Sequence, residues 1–217
     1  MAGAGAAPRS RLPIIGPMQD SPRTDTRIAL ALALTVRHDG HGGIADDLTD
    51  PAGLTAWVAA HPGALPGAEV FAADASTLAA VRDVRAAARA LFARAVRPGE
   101  PSPADAARLL PVPQALRRLN EAAARTPTVP VLDWADAAEP VVRAAPAQGA
   151  RADLAAALAR AVIGFLAGPD RQRLRACHAP RCVRYFVKEH PRQEWCTPSC
   201  GNRARVARHQ DRHRRAG

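Results

Sequence analysis

The chain has 217 residues and a formal net charge of +10, a length that suits one core domain and a small additional module. Hydrophobic residues make up 47% of it and aromatic residues only 4%, so a core must be built mainly from Leu, Val and Ala. The apolar run at residues 28–36 is far too short to cross a membrane. The residues near the start do not contain the continuous apolar segment that is typical of a secretion signal. We therefore expect a soluble, cytoplasmic protein with no membrane partner.

The first part of the chain is predicted to be a leader followed by a helical domain. Residues 1–24 contain small residues, Pro and few large apolar groups, which predicts a disordered leader. Residues 25–170 are predicted to form a mainly helical domain. Its first apolar run, residues 28–36, fits either a buried strand or a short helix.

A Gly-rich loop follows this run. It contains His38, Asp39 and His41, which could bind a metal or perform acid–base chemistry, although the glycines equally suit an exposed turn. No nucleophile is paired with these residues, and no second group of reactive side chains must converge on them. The sequence therefore predicts no catalytic residues and no enzyme.

Four further helices and one hairpin are predicted in the same domain. Leu116 and Leu119 should face inward from the third of these helices, and the arginines of residues 82–97 should form a solvated face. Short Val-rich runs at 128–134 and 139–144 predict a small β-hairpin. The helices follow from apolar residues at three- and four-residue steps and from capping signals; they span residues 50–61, 74–96, 113–125 and 151–167.

All the cysteines lie near the C-terminus, in two close pairs. They are Cys177, Cys182, Cys196 and Cys200, and residues 1–176 contain none. Thiolates in paired spacing suit one tetrahedral Zn²⁺, whose four ligands would leave no open position for the water of a catalytic site. Two disulfides, unrelated thiols or a mixed site with a nearby histidine are the alternatives. A chain without a secretion signal favours one structural zinc.

The positive charge is confined to the same end of the chain. Residues 171–217 contain thirteen Arg or Lys and three acids, whereas residues 1–170 contain seventeen of each. Only one of the chain's basic residues is Lys, and a GC-rich coding bias explains this use of Arg instead of Lys. Such a bias does not explain why the positive charge is concentrated at one end. A basic block beside a metal site is typical of proteins that bind a polyanion.

The end of the chain predicts a basic helix. No Gly or Pro occurs between Arg203 and Gly217, and one face of the helix would carry an arginine stripe. Gly201 should allow a tight turn after the last cysteine, and Asn202 could cap the helix or satisfy a thiolate. The stripe consists of Arg205, Arg208, Arg212 and Arg215. A small aromatic core over the metal is predicted from Tyr185, Phe186 and Trp195.

Residues 175–215 resemble the CGNR-type zinc finger, a bacterial module. The run that gives the module its name is Cys200, Gly201, Asn202 and Arg203, and Trp195–Cys196 also matches. Relatives often carry an Asp and a Ser where this chain has Lys188 and His190. The resemblance implies a zinc-dependent finger that binds DNA.

Residues 27–170 are similar to the ABATE domain, which usually precedes such fingers. The matching parts are Asp47–Leu48 with Leu54 and Trp57, the Arg-rich helix at 82–89, and Leu119–Asn120. Relatives often show an acid and an Asn-Thr near the opening run, where this chain has Ala33-Leu34-Thr35. This resemblance implies a bacterial, stress-linked transcription regulator.

Two functions from different classes fit these features. The first is a DNA-binding transcription regulator, nucleoid-associated when bound, whose residues 25–170 sense a signal or form a homodimer and whose residues 171–217 form the finger. The second is a zinc-stabilised module that binds a protein or senses a small molecule without binding DNA. No motif indicates an operator sequence or an effector. The predicted nucleic-acid contacts are Asn202, Arg203, Arg205, Arg208, Arg212 and Arg215.

Overall fold

The computed structural model describes residues 22–41, 43–62, 70–97, 99–134, 139–147 and 153–216. The predicted fold class is confirmed: helices dominate, and a compact four-cysteine segment ending in a helix follows them. Most of the predicted leader, residues 1–21, lies outside the described residues. The predicted leader also includes residues 22–24, but these residues form the start of the first helix.

The helices of the described residues alternate with three small antiparallel hairpins. The helices are α1 (Pro22–Leu34), α2 (Pro51–Ala59), α3 (Ala75–Ala95), α4 (Pro103–Ala106), α5 (Val112–Ala124), α6 (Leu154–Ala167) and α7 (Pro198–Ala216), with a 3₁₀ turn at Pro169–Arg173. The strands are β1 (Val36–His38), β2 (Ile44–Asp46), β3 (Thr128–Asp133), β4 (Val141–Pro146), β5 (Leu174–Ala176) and β6 (Tyr185–Val187). No helix in the described ranges is both long and apolar enough to span a bilayer.

Aspartates cap the N-termini of three helices. Asp50, Asp74 and Asp153 precede α2, α3 and α6, and each carboxylate accepts a backbone N–H from the first turn. The N–H of Thr77 donates to Asp74 at 2.7 Å and is the main reason why the pKa of Asp74 falls to about 2. The predicted starts of α2 and α3 are therefore correct to within one residue.

The core lies between α1, α3, α5 and α6, which pack against one another. Phe92 of α3 meets Phe165 of α6 edge to face, with ring centroids 5.1 Å apart. Leu119 of α5 is buried as predicted, but Leu116 is 46% exposed and its predicted inward position is wrong. The buried seam of α5 runs through Ala115, Leu119 and Ala122, and Leu116 lies at the edge of that narrow stripe.

The predicted hairpin between residues 128 and 144 is confirmed as β3–β4. Its strands pair from Thr128 opposite Pro146 to Asp133 opposite Val141. Large apolar side chains on and beside this hairpin are exposed. Because an isolated two-stranded hairpin is only marginally stable in water, an exposed apolar patch of this kind is typical of a surface that contacts another protein. These side chains are Val129, Val131, Leu132, Trp134 and Val142.

The Gly-rich loop closes the β1–β2 hairpin as a local turn. Asp39 Oδ1 accepts the backbone N–H groups of His41 at 2.8 Å and Gly43 at 2.9 Å, and Gly40 has a φ of +93°. The N–H of His41 is the main cause that lowers the pKa of the Asp39 carboxyl. These contacts support the exposed-turn interpretation of the loop over an acid–base or metal site.

Two arginines of α3 are buried, so the prediction that this helix carries a wholly solvated arginine face is wrong. Arg85 is 7% exposed and Arg89 is 5% exposed. Arg85 binds both carboxylate oxygens of Asp46 at 2.5 and 2.6 Å and donates to Thr35 Oγ1 at 2.9 Å. Buried guanidinium groups need such partners, because burial without compensation is costly. The sequence could not show that the partners lie on β2 and at the end of α1.

Candidate metal centre and basic helix

Two short loops bring the four cysteines together. Cys177 follows β5 and Cys182 precedes β6, whereas Cys196 and Cys200 lie before and within the first turn of α7. Their four Sγ atoms all lie within 4.8 Å of one another, and three of the cysteines are buried. In the first loop, Cys182 N–H donates to Ala179 O at 2.9 Å, and Arg181 adopts a φ of +63°.

The spacing of the sulfur atoms fits a tetrahedral metal. Cys182 Sγ lies 3.8 Å from both Cys196 Sγ and Cys200 Sγ, and the latter two are 3.4 Å apart. Four thiolates at the usual Zn–S distance of about 2.3 Å would be separated by about 3.8 Å. The disulfide alternative is wrong, because every cysteine is free and a disulfide needs sulfurs about 2.0 Å apart. The cluster can hold one zinc ion.

Crowding links the protonation of three thiols, those of Cys177, Cys182 and Cys196. A hydrogen bond from Cys182, and to a smaller extent one from Cys196, lowers the pKa of Cys177 because these bonds stabilise its thiolate. The same contacts with Cys177 raise the pKa of Cys182 and of Cys196, and burial raises both further. Once one thiol is ionised, ionising a second and a third is unfavourable without a cation. A divalent cation bound among the sulfurs would therefore stabilise the thiolates strongly.

A histidine does not join the cluster in the described residues. His178, which neighbours Cys177 in the chain, points its Nε2 to the carbonyl oxygen of Glu100 at 2.8 Å. The only group of His, Cys, Asp and Glu found with metal-binding proximity in the described ranges is the four cysteines. The geometry therefore favours four thiolate ligands over a mixed site.

The side chains around the cluster differ in part from the prediction. Phe186 and Trp195 pack against the cysteines, as expected. Tyr185 does not: it is 1% exposed in the main core and meets Phe92 edge to face at 5.7 Å. Gly201 lies inside α7, where a Cβ would come within 3.0 Å of Trp195 Cδ1, so close ring packing and not a turn accounts for this glycine.

A buried polar network joins the finger to the helical domain. Arg89 donates to Ala33 O at 2.7 Å and to Val183 O at 2.8 Å, and pairs with Asp105 Oδ2 at 2.8 Å. Tyr185 donates to the same carboxylate at 3.3 Å. Burial, followed by the charge of Asp105, raises the pKa of Tyr185, so the phenol remains a donor.

Two further contacts add to this junction. The hydroxyl of Ser102 donates to the carbonyl oxygen of Cys182, and Leu174 of β5 is fully buried in the main core. Leu174 and Tyr185 of the finger therefore belong to the main core, whereas the cysteines form a separate cluster, and several buried hydrogen bonds link the two parts. A substitution on either side of the junction should therefore change the stability of the part on the other side.

The basic helix α7 begins at Pro198, earlier than predicted, and places the arginine stripe in solvent. Its residues from Arg208 to Arg215 are exposed, and the single acid, Asp211, pairs with Arg214 at 3.4 Å. The stripe arginines at 205, 208, 212 and 215 fall within a narrow arc of the helix. Asp211 lies at the edge of this arc, but its ion pair is with Arg214, which lies outside the arc. Basic residues in the last turn also interact favourably with the helix dipole.

The first two of the predicted nucleic-acid contacts make local interactions. Arg203 is half-buried and donates from Nη2 to Cys200 Sγ at 3.0 Å, which is a charge-assisted bond to a thiolate when a metal is bound. Asn202 is exposed, and its Oδ1 accepts a hydrogen bond from Arg205. Arg203 thus supports the cluster, while Asn202 and Arg205 remain at the surface.

Two family models match the chain. One, described as "ABATE: Putative stress-induced transcription regulator", matches residues 26–169, and the other, described as "CGNR zinc finger", matches residues 173–213. Both were expected from the sequence, in this order, and that interpretation is confirmed. The two descriptions concern a regulator and a zinc finger, not an enzyme. A search of curated proteins gives no match.

Proposed function

This chain belongs to the ABATE family and carries a CGNR zinc finger, and on that premise we propose that it is a zinc-dependent regulator that binds duplex DNA through α7. In this proposal the four cysteines hold one structural zinc, and residues 171–217 form the DNA-binding module. Residues 25–170 sense a signal or form a homodimer.

The observation that carries the proposal is an exposed arginine stripe on a helix that begins at the metal cluster. An α-helix fits the major groove of B-DNA, where arginine forks can bind phosphates and guanine edges. Arg208, Arg212 and Arg215 are exposed, and the only acid of the helix, Asp211, pairs with Arg214, which is not part of the stripe. Because Cys200 lies in the first turn of α7, a bound zinc would fix the direction of the helix.

Exchanging two stripe arginines should weaken DNA binding and reduce its dependence on salt. Each lost phosphate contact should reduce the magnitude of the negative slope of log K against log salt by about 0.9. The slope of the double variant Arg208→Ala/Arg212→Ala should therefore be less steep by about two units if both side chains contact phosphate. Fluorescence anisotropy with a labelled duplex over a salt series measures both effects. Zinc content should stay at one per chain.

A matched control is the loss of charge elsewhere. Arg117 is exposed on α5, far along the chain from the finger, and Arg117→Ala should leave the slope unchanged. A stripe variant that binds DNA like the wild type, with the same slope, would show that another face meets the DNA.

A second candidate function rests on the exposed apolar hairpin β3–β4. Leu132 and Val142 face each other across the strands and are 62% and 64% exposed, and Trp134 nearby is 67% exposed. Such a patch is typical of a protein–protein contact, either with another protein or in the predicted homodimer. Absent or salt-insensitive DNA binding would favour this protein-interaction function.

A further inference from the structure

A small cleft lies between the β1–β2 hairpin and the finger, next to the cysteine cluster. It has a volume of about 160 Å³, and Cys182 and Cys200 are among the residues that line it. The other residues that line it are His38, Arg184, Thr197, Ser199 and Arg203. None of these described lining residues is Asp or Glu, and the negative charge at the cleft comes from the two cysteines of the metal cluster. The space exceeds what one water needs and could hold a phosphate-sized anion.

The histidine of this cleft presents a buried donor without an acceptor. His38 Nδ1 accepts the backbone N–H of Gly40 at 2.7 Å, so a neutral imidazole carries its proton on Nε2. His38 Nε2 is buried and has no hydrogen-bond partner in the structure. A buried N–H without an acceptor costs free energy unless something fills its place.

The finger contributes a second donor of the same kind. Arg203 uses Nη2 for Cys200 Sγ, while its Nε is buried and has no partner. Arg184, half-buried at the cleft, forms no salt bridge with the described carboxylates. The hydroxyls of Thr197 and Ser199 lie 2.9 Å apart and can turn toward an acceptor. The cleft thus collects N–H and O–H donors from both parts of the protein.

The charge balance allows an anion in this place. Four thiolates around one Zn²⁺ carry a net charge of −2, which the guanidiniums of Arg184 and Arg203 offset. The remaining charge of residues 171–217 is strongly positive. Several convergent donors and a positive surrounding field are the conditions under which proteins bind oxyanions.

We propose that this cleft binds one phosphate oxyanion, which His38 Nε2–H, Arg184 and Arg203 Nε–H hold between the helical domain and the finger. The anion is either a free phosphate or phosphate ester, or a backbone phosphate of bound DNA. In both cases it would bridge the domain of residues 25–170 to the metal-binding segment. The inference goes beyond the proposed DNA binding, since free phosphate can occupy the site without DNA.

Calorimetric titration of the zinc-loaded full chain with inorganic phosphate tests the proposal. We expect saturable binding of one phosphate at millimolar concentrations. His38→Ala and Arg184→Ala should each weaken it on the order of tenfold, because each removes a hydrogen bond to a charged group. Matched controls are His41→Ala in the same loop and Arg192→Ala in the finger; both side chains are exposed and lie outside the cleft.

Repeating the titration with duplex DNA present distinguishes the two sources of phosphate. If the cleft takes a backbone phosphate, DNA displaces inorganic phosphate and His38→Ala weakens DNA binding. If it takes a free anion, the DNA-bound protein still binds phosphate and His38→Ala leaves DNA affinity unchanged. Both results support the site.

Three results would overturn the proposal. The first is no saturable phosphate binding by the wild type, as expected if water fills the cleft. The second is wild-type phosphate affinity in both His38→Ala and Arg184→Ala. The third is loss of zinc from His38→Ala, measured by metal analysis, which would assign His38 to the metal centre.

Discussion

Replacing Cys196 with serine should abolish zinc uptake and unfold the finger. Structural zinc in small fingers contributes an apparent free energy of about 10–16 kcal/mol, and a module with few buried apolar residues cannot replace it. The cluster places Cys196 Sγ within 3.8 Å of two other cysteine sulfurs, so its loss opens the coordination shell. The helix α7, which begins at the cluster, should lose its order as well.

The helical domain should stay folded but become less stable in this variant. Leu174 and Tyr185 reach from the finger into the main core, so unfolding of the finger uncovers part of that core. Metal analysis gives the zinc content, and hydrogen exchange separates the two parts of the chain. The matched control is Gln210→Ala, which changes an exposed position of α7 and should retain one zinc. A Cys196→Ser protein that still holds one zinc per chain would show that the ligand set is different.

Replacing Asp105 with alanine should destabilise the protein by about 3–5 kcal/mol. The substitution leaves Arg89 buried without its carboxylate, and the cost of an uncompensated buried charge exceeds that of most surface changes. Both side chains of this pair are almost fully buried, at 6% and 2% exposure. It also removes the acceptor of the Tyr185 hydroxyl. Chemical denaturation of the zinc-loaded protein measures the loss.

An exposed pair nearby provides the control for this prediction. Glu100 pairs with Arg97 at 2.6 Å, but both side chains are more than half exposed, so Glu100→Ala should cost less than about 1 kcal/mol. The double variant Arg89→Met/Asp105→Leu should recover part of the loss, since it removes both buried charges. A loss below about 1 kcal/mol in Asp105→Ala would mean that the buried network does not hold the finger to the helical domain.

The features that depend on neighbours in the chain could be predicted from the sequence. The short spacing within each cysteine pair keeps its two thiols close, and two such pairs in a chain without a secretion signal indicate a metal cluster. The aspartates before α2 and α3 indicated where those helices begin, because capping depends only on the next three residues. The hairpin β3–β4 followed from two Val-rich runs close in sequence.

The features that depend on distant contacts could not be predicted. A helical arginine such as Arg89 gives no sign of burial, because its partners at Ala33, Asp105 and Val183 come from three other parts of the chain. The same holds for Tyr185, whose place in the main core requires Phe92 beside it. His38 lies 144 residues before Cys182, the first finger residue that lines the cleft, and only the folded arrangement brings them together.

The binding of duplex DNA across a salt series, with and without a strong zinc chelator, tests the proposed function most directly. A zinc-dependent DNA-binding helix predicts tight binding at low salt, a steep loss as salt rises, and no binding after chelation. Binding that persists when the zinc has been removed, or that is absent in the zinc-loaded protein, would contradict the proposal that the metal-supported helix α7 binds DNA.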